Sequence, residues 1–229
     1  MSGEAPAQVQ LQAQAAPHGL ELPVVETFHS LQGEGVHAGR SAFFLRLAGC
    51  TVGCPWCDTK HSWPEQAHPR RCLAALAAEA AAAKAAGAAF AVITGGEPLH
   101  HNLDGLCAAL DQAAPGLPLH LETSGVDPLT GRFDWITLSP KSHRPPLEAL
   151  LRACSELKVV VHKDDDLAFA EAMAAAALAQ RRGSALPPPV LLLQPGAASD
   201  HGRELAVNHV RRHPGWRLSL QTHKWLGLR

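Results

Sequence analysis

Short apolar, β-branched runs alternate with amphipathic or alanine-rich stretches from about Leu22 to the end of the chain. This alternation is typical of repeated strand–helix units, which build a parallel sheet with helices packed on it. We predict strands near residues 24–28, 42–47, 90–94, 118–122, 134–138, 156–161, 190–194 and 216–221. We predict helices near residues 68–86, 102–113, 146–154, 165–182 and 199–212.

The chain has 229 residues, which is enough for one sizeable core. We expect a single domain over residues 21–229. Residues 1–20 contain few large apolar side chains, so we expect them to form a disordered N-terminal tail.

Five polar motifs each follow a predicted strand. They are residues 94–98 (TGGEP), 122–125 (ETSG), 139–141 (SPK), 194–195 (QP) and 221–224 (QTHK). In a parallel (β/α) barrel the loops after neighbouring strands converge at one end, and that end carries the active site. The sequence therefore predicts a functional site at the carboxyl ends of the strands.

Charge and composition exclude several classes of function. The net charge is -1 and the pI is near 6.9, which does not favour direct nucleic-acid binding. No apolar run approaches the length of a membrane span, and the N-terminus does not resemble a secretory leader. Three of the six cysteines, Cys72, Cys107 and Cys154, are isolated, so a disulfide framework is not expected. We predict a cytoplasmic protein that does not associate with a membrane.

The other three cysteines form the run C-x3-C-x2-C at Cys50, Cys54 and Cys57. Three thiolates are one ligand short of a closed zinc site. A four-iron, four-sulfur (4Fe-4S) cluster held by three cysteines would leave one iron open for an outside ligand. The alternative is a zinc site that His61 or His68 completes.

This spacing resembles the cluster motif of the radical S-adenosylmethionine (SAM) enzymes. The resemblance implies a 4Fe-4S cluster whose open iron binds the amino and carboxylate groups of S-adenosyl-L-methionine, which is split to give a 5′-deoxyadenosyl radical. It also implies an incomplete (β/α) barrel, a parallel sheet with helices outside. The cofactor carries such chemistry, so no side chain is expected to be catalytic.

Four further motifs resemble the 7-carboxy-7-deazaguanine synthase family of that superfamily. They are residues 30–35 (SLQGEG), 44–50 (FLRLAGC), 57–59 (CDT) and 221–224 (QTHK). The resemblance implies conversion of 6-carboxy-5,6,7,8-tetrahydropterin to 7-carboxy-7-deazaguanine with loss of ammonia, in queuosine and 7-deazapurine biosynthesis. It further implies a homodimer and an electron donor such as flavodoxin.

The residue types on these motifs suit a pterin. Gln32, Glu34 and His223 suit the planar edge of donors and acceptors, and Arg46 suits the carboxylate as a bidentate partner. With the resemblance, the expected substrate-binding residues are Leu31, Gln32, Gly33, Glu34, Arg46, Thr94, His223 and Arg229, the last through its terminal carboxylate. The alternatives are a tight polar turn at residues 32–35, a buried ion pair for Arg46, and a frayed chain end.

The resemblance also assigns residues to the cofactors. For S-adenosylmethionine they are Trp56, Cys57, Asp58, Gly96, Ser139, Pro140, Lys141, Gln194, Pro195, Gly196 and Ala197. Glu97 is expected to fix the loop of Gly95 and Gly96, and Lys141 has the alternative of a solvated loop lysine. For metals they are Cys50, Cys54 and Cys57 for the cluster, and Thr59 for Mg²⁺. The alternative for Thr59 is a helix cap, because a single hydroxyl is a weak magnesium ligand.

Three smaller expectations complete the interpretation. Residues 164–166 (DDD) should cap a helix, with a metal site as the alternative. Ser124 stands where the family often has asparagine, and its hydroxyl can still donate and accept. Six histidines are expected at the surface: His100, His101, His143, His201, His209 and His213.

Two rival functions remain open at this point. A glycyl-radical activating enzyme shares the cluster motif, but its substrate is a protein and it has no use for pterin-binding side chains. A zinc-binding interaction module would have no catalytic activity. Colour distinguishes this module from the two enzymes, because a cluster protein is brown and a zinc protein is colourless.

Overall fold

The computed structural model of the protein describes residues 20–228. The predicted N-terminal tail up to residue 19, and the Arg229 carboxylate, lie outside these residues. The strands are β1 (Glu21–Leu31), β2 (Ser41–Leu47), β3 (Arg70–Cys72), β4 (Ala91–Gly95), β5 (Leu119–Thr123), β6 (Trp135–Leu138), β7 (Glu156–Val161), β8 (Val190–Pro195) and β9 (Trp216–Leu218). The helices are α1 (Leu73–Ala85), α2 (Asp104–Ala113), α3 (Glu148–Ala153), α4 (Asp164–Ala179), α5 (Asp200–Arg212) and α6 (Thr222–Leu226), with short 3₁₀ turns at Lys60–Ser62, Glu65–Ala67 and Pro98–His100.

All nine strands form one sheet in the order β3-β1-β2-β4-β5-β6-β7-β8-β9. From β2 through β4 to β9 every neighbouring pair is parallel. β1 is antiparallel to both β2 and β3. Within residues 20–228, β3 and β9 are the two edges of the sheet and do not pair with each other. The prediction of an incomplete (β/α) barrel is confirmed.

Alternation along each strand separates an apolar outer face from a polar inner face. On β2, Phe43, Leu45 and Leu47 join the main core against the helices, whereas Phe44 and Arg46 point inward. The inner face carries Phe44 and Val92 in a small second core. Beyond that core, towards the carboxyl ends of the strands, six strands each contribute one polar side chain to the inner face: Arg46, Thr94, Glu122, Thr137, Lys158 and Gln194.

Two elements differ from the sequence prediction. The helix predicted from residue 68 begins at Leu73, because residues 70–72 pair with the start of β1 as strand β3. The strand predicted to reach residue 221 ends at Leu218, and α6 follows it. Ser219 leaves the strand to bond the Gln194 side chain at 2.8 Å. Both deviations arise from partners distant in the sequence.

The fourth helix begins as predicted, with a carboxylate at its first turn. Asp166 accepts hydrogen bonds from the backbone N–H of His162 at 2.8 Å and of Lys163 at 3.0 Å. These bonds fix the turn that joins β7 to α4. None of the helices between residues 20 and 228 is both long enough and apolar enough to cross a membrane.

Candidate active site

A cavity of about 270 Å³ opens at the carboxyl ends of the parallel strands. The polar inner face forms its walls, and the cysteine loop after β2 forms one side. The following predicted site residues line it: Leu31, Gln32, Gly33, Glu34, Arg46, Cys50, Cys54, Cys57, Asp58, Thr59, Thr94, Gly96, Ser139, Lys141 and His223. The topology therefore brings motifs from six separate parts of the chain to one place.

The cysteine loop is held against the end of β4 by backbone contacts. The N–H groups of Gly96 and Glu97 donate to the carbonyls of Leu47 and Gly49, each at 2.9 Å. A Cβ atom at Gly96 would lie 2.3 Å from the Gly49 oxygen, and one at Gly95 would lie 2.1 Å from the Leu47 oxygen. Gly95 also has φ of +140°. The two glycines thus allow the β4 loop to reach the base of the cysteine loop.

Glu97 fixes the same loop from inside the protein. Its side chain is 1% exposed and accepts from the backbone N–H of Ser124 at 2.8 Å and of Leu99 at 3.2 Å. Its carboxylate also bonds the hydroxyls of Thr123 and Ser124. Ser124, where the family often has asparagine, therefore bonds Glu97 with both its N–H and its hydroxyl.

Three histidines support the cysteine loop. The Nε2 atoms of His101 and His143 lie 2.8 and 3.0 Å from the carbonyl oxygens of Ala48 and Val52. His100 accepts from the N–H of Thr51 at 3.0 Å through Nε2, and its Nδ1 contacts Asp127.

The prediction that six histidines lie at the surface is wrong for three of them. His100 and His101 are partly buried, and His209 is buried. His100 and His101 are withdrawn from solvent because they bond the backbone of the cysteine loop. His209, on α5, is buried because it packs against Glu171 of α4 and Trp216 at the start of β9.

The spacing of the three thiols tests whether they fit a cluster. A single zinc ion with Zn–S bonds of about 2.3 Å would hold its sulfurs about 3.8 Å apart. Among residues 20–228, the three thiol sulfurs are not all within 4.8 Å of one another. A 4Fe-4S cluster binds each thiolate to a different iron and so spreads its ligands farther apart. The three-thiol donor set fits the cluster, and neither His61 nor His68 lines the cavity with the thiols.

Burial raises the pKa of the Cys50 and Cys54 thiols. Nearby negative charge raises both pKa values further, from Glu97 and Cys57 at Cys50 and from Cys57 and Cys50 at Cys54, because it would repel the thiolate. Lys141 opposes this effect at Cys54. The Lys141 amine bonds the Ser139 hydroxyl at 2.8 Å, and burial lowers its pKa. A partly buried ammonium beside the thiols fits the carboxylate of S-adenosylmethionine.

Glu34 and Lys158 form a buried ion pair within the cavity. Their side chains are 17% and 7% exposed, and Gln221 also donates to Glu34 at 2.7 Å. Burial alone would raise the pKa of Glu34, but the charge and hydrogen bond of Lys158 outweigh it and hold the pKa well below its usual value. The pKa of Lys158 is raised by the same pairing against the effect of burial. Glu34 is therefore a fixed, ionised acceptor.

A second network orients the side chains at the end of β1. Gln32 donates through Nε2 to Glu122 at 2.9 Å, and the Thr94 hydroxyl donates to the other Glu122 oxygen at 2.9 Å. The side-chain oxygen Oε1 of Gln32 accepts from the backbone N–H of Glu34 at 3.1 Å. Residues 32–35 thus form a local polar turn and also line the cavity, so a turn and a substrate-binding wall are compatible interpretations of this motif.

Arg46 pairs with Glu26 through Nε at 3.0 Å, and its guanidinium also faces the cavity. The predicted ion pair for Arg46 therefore exists, although Glu26 is 27% exposed and not buried. His223 lies against Gly33, where a Cβ atom would be 2.1 Å from its Nδ1. Thr222 donates to the Gly33 carbonyl through both its N–H and its hydroxyl, at 3.0 Å each.

The residues after the cluster motif bind the C-terminal segment. Asp58 pairs with Lys224, which lowers the pKa of Asp58 although burial opposes it. The Thr59 hydroxyl lies 3.5 Å from the Cys57 sulfur. It makes no side-chain capping bond to the 3₁₀ turn that follows, so the capping alternative for Thr59 is wrong.

A smaller recess of about 180 Å³ adjoins the thiols on the side of β7 and β8. Trp56, Gln194, Pro195 and Ala197 line it together with His162. Gly196 lies against the His162 ring, which leaves no space for a Cβ atom. Pro140 is buried between Ser139 and Lys141.

The sequence analysis missed Lys158 as a lining residue, and it placed Glu122 and Gln221 in strand-end motifs without assigning them a role in the site. A signal for Lys158 was available: Glu156 and Lys158 occupy alternate positions of the apolar strand β7. Charged side chains two residues apart point to the same face of a strand. Because the outer face of a barrel strand is apolar, the face that carries these two charged side chains must be the inner face.

Comparison with known proteins shows the family of the chain. The model of the Radical SAM superfamily matches residues 45–162. A 7-carboxy-7-deazaguanine synthase of Prochlorococcus marinus is 54% identical over 220 residues, which cover 90% of this chain and 98% of that protein. The enzyme of that name from Synechocystis sp. is 50% identical, covering 92% and 95% of the two chains. The one from Escherichia coli K12 is 33% identical, covering 91% and 100%.

The fold gives the same result. The crystal structure of QueE from Escherichia coli matches with a TM-score of 0.74 at 30% sequence identity, over 89% of this chain and 95% of that chain. By its sequence, its three-cysteine loop and its open parallel barrel, the chain belongs to the 7-carboxy-7-deazaguanine synthase family of the radical SAM superfamily.

Proposed function

We propose that this protein converts 6-carboxy-5,6,7,8-tetrahydropterin to 7-carboxy-7-deazaguanine, with loss of ammonia. One observation carries the proposal. The polar groups suited to a pterin, on Gln32, Glu34, Arg46 and His223, face the same cavity as the three thiols. A substrate held by these groups lies next to the place where the radical would form.

Cys50, Cys54 and Cys57 hold the 4Fe-4S cluster in this proposal. The cluster and S-adenosylmethionine, when bound, supply the 5′-deoxyadenosyl radical that starts the reaction. Lys141 meets the carboxylate of the cofactor, and Trp56 with the recess beside β8 accommodates its adenine. The assignment of Lys141 is supported by its surroundings. Among the described residues, the hydrogen bond of its partly buried ammonium goes to a neutral hydroxyl, that of Ser139.

The substrate is oriented by groups that are already fixed before it binds. Glu34 is held ionised by Lys158 and accepts from a pterin N–H. Gln32, which Glu122 orients, presents its amide to the planar edge. Arg46 binds the carboxylate with the part of its fork that Glu26 leaves unused. Fixed partners of this kind reduce the entropy lost on binding.

Three further assignments belong to the proposal. Thr59 would provide one oxygen ligand for Mg²⁺, a metal that prefers oxygen ligands, and the substrate and water would supply others. A low-potential electron donor such as flavodoxin reduces the cluster. The active form is a homodimer. The support for Thr59 is that its hydroxyl makes no capping bond and lies at the cavity wall beside Cys57.

The test is an anaerobic assay of reconstituted protein with 6-carboxytetrahydropterin, S-adenosylmethionine and a reductant, with the product identified by mass. We expect the deazapurine product in wild type and in an Arg132→Lys control at an exposed position. Arg46→Lys should raise KM at least tenfold, because lysine cannot form the bidentate pair with a carboxylate. Absence of product from a fully cluster-loaded wild type would refute the proposed reaction.

The terminal carboxylate of Arg229 is tested separately. Deletion of residues 227–229, or a C-terminal tag, should raise KM for the pterin without changing cluster content or S-adenosylmethionine binding. An unchanged KM in the tagged enzyme would remove the terminus from the substrate site.

A further inference from the structure

A second cluster of metal-ligating side chains lies away from the cavity, between α4 and the end of α5. It contains Glu171, His209 and His213, and one ligand atom from each lies within 4.8 Å of the other two. Among residues 20–228 it is the only set of three His, Cys, Asp or Glu side chains with this property. His209 is buried, whereas Glu171 and His213 are exposed, so an ion could enter from solvent.

The second ring nitrogen of His213 is already fixed. Nδ1 of His213 lies 2.9 Å from the carbonyl oxygen of His209. A carbonyl only accepts, so Nδ1 carries the proton and Nε2 presents its lone pair. Metal-binding histidines usually have this arrangement, in which the other ring nitrogen donates to a backbone carbonyl.

The carboxylate is oriented in the same way. Trp216, at the start of β9, donates its indole N–H to Glu171 Oε1 at 2.9 Å. His209 Nε2 lies 2.8 Å from the same oxygen. Two ligands of a tetrahedral ion, with bonds of about 2.0–2.1 Å, lie about 3.3 Å apart. The His209 and His213 rings are stacked, with centroids 3.9 Å apart and planes 16° apart, so their lone pairs do not converge on one point in this arrangement. Zinc binding would widen the His209–Glu171 contact by about half an ångström and turn the His213 ring out of the stack towards the ion.

We propose that Glu171, His209 and His213 bind one zinc ion, with water in the remaining position. Two imidazoles and one carboxylate are the donor set that zinc takes in protein sites, and magnesium and calcium prefer all-oxygen shells. The ion would connect α4, the end of α5 and, through Trp216, strand β9. This strand is the free edge of the sheet and leads into the segment that contacts Gly33. The zinc site would stabilise that edge.

The test uses holoenzyme, because free thiols of the cysteine loop would also bind zinc. Cluster-loaded protein is dialysed anaerobically against zinc chloride, and zinc and iron are then measured per chain. The variants are His213→Gln and Glu171→Gln, both at exposed positions. His201→Gln is the matched control, because His201 is an exposed histidine on the same helix and contacts Asp164.

We expect one zinc per chain in wild type and in His201→Gln, with iron content unchanged. His213→Gln and Glu171→Gln should weaken zinc binding at least tenfold and abolish the rise in unfolding temperature that zinc causes in wild type. The proposal would be overturned if cluster-loaded wild type bound no zinc, or if His213→Gln bound zinc as tightly as wild type does. In that case the Glu171–His209 contact is a hydrogen bond only. Neither variant touches the cavity, so this outcome leaves the proposed reaction unaffected.

Discussion

The buried pair of Glu34 and Lys158 makes a quantitative prediction about stability. Lys158→Met removes the cation and keeps a side chain of similar length, which leaves the Glu34 carboxylate with only neutral side-chain donors, Gln221 and Gln194. Breaking a buried ion pair by removing one partner costs about 3–5 kcal/mol, whereas exposed pairs contribute about 0–1 kcal/mol. With side chains 7% and 17% exposed, the pair lies closer to the buried class than to the exposed one, so the lower end of the buried range applies. The Gln221 bond moderates the loss, so we expect about 3 kcal/mol.

The assay is guanidinium unfolding of cluster-free, reduced protein, followed by circular dichroism. Glu34→Gln and the double variant Glu34→Gln/Lys158→Met complete a double-mutant cycle. The double variant carries no buried charge at this position, so it should be more stable than Lys158→Met alone. A loss below about 1 kcal/mol in Lys158→Met, or strictly additive losses in the cycle, would refute the buried-pair interpretation.

The same pair fixes the sign of a pH dependence. The pKa of Glu34 is lowered from 4.5 to about 2 on folding, so its contribution to stability is fully present above the unfolded value. That contribution is lost as the pH falls from 4.5 towards about 2. Wild type should lose stability over this range, and the double variant should lose less. Equal acid dependence in the two proteins would show that other carboxylates dominate.

Three further predictions concern the cavity. Gly96→Ala should reduce cluster content and activity, because a Cβ atom there would lie 2.3 Å from a backbone oxygen of the cysteine loop. The control variant Gly215→Ala should match wild type, because its Cβ atom meets no atom within 4 Å. Equal iron content in the two variants would contradict the steric argument. Cys54→Ala should abolish cluster binding, while Cys107→Ala keeps it; iron analysis decides, and full iron in Cys54→Ala would exclude that ligand. Lys141→Met should weaken S-adenosylmethionine binding at least tenfold at unchanged iron content, as measured by equilibrium dialysis, and unchanged affinity would remove Lys141 from the cofactor site.

Much of the fold follows from local sequence pattern. The outward Phe43, Leu45 and Leu47 and the inward Phe44 and Arg46 of β2 follow from a period of two residues, which neighbouring side chains determine. The placement of polar motifs after strands predicted which end of the sheet carries the site. The prediction of strand–helix units and a parallel sheet is therefore recovered from patterns that each span about ten residues, whereas the incomplete closure of the barrel was implied by the resemblance to the radical SAM enzymes.

The elements that were missed depend on distant partners. Strand β3 exists because residues 70–72 pair with β1, and no local pattern distinguishes three such residues from the start of a helix. Helix α6 begins where Thr222 bonds Gly33, which is 189 residues away. Such pairings depend on the order and curvature of the whole sheet, which single segments do not encode.

The sequence by itself determined the metal-binding residue types, the strand-end positions of the polar motifs and the alternation that turns one strand face inward. These properties follow from covalent spacing and from the short repeat lengths of strands and helices. Only the tertiary structure decided that Lys158 faces Glu34 across 124 residues, that His100 and His101 bond the cysteine loop, and that His209 and His213 meet Glu171. The physical reason is that a side chain acquires its partner, and hence its charge state and exposure, from packing between elements that are far apart in the chain.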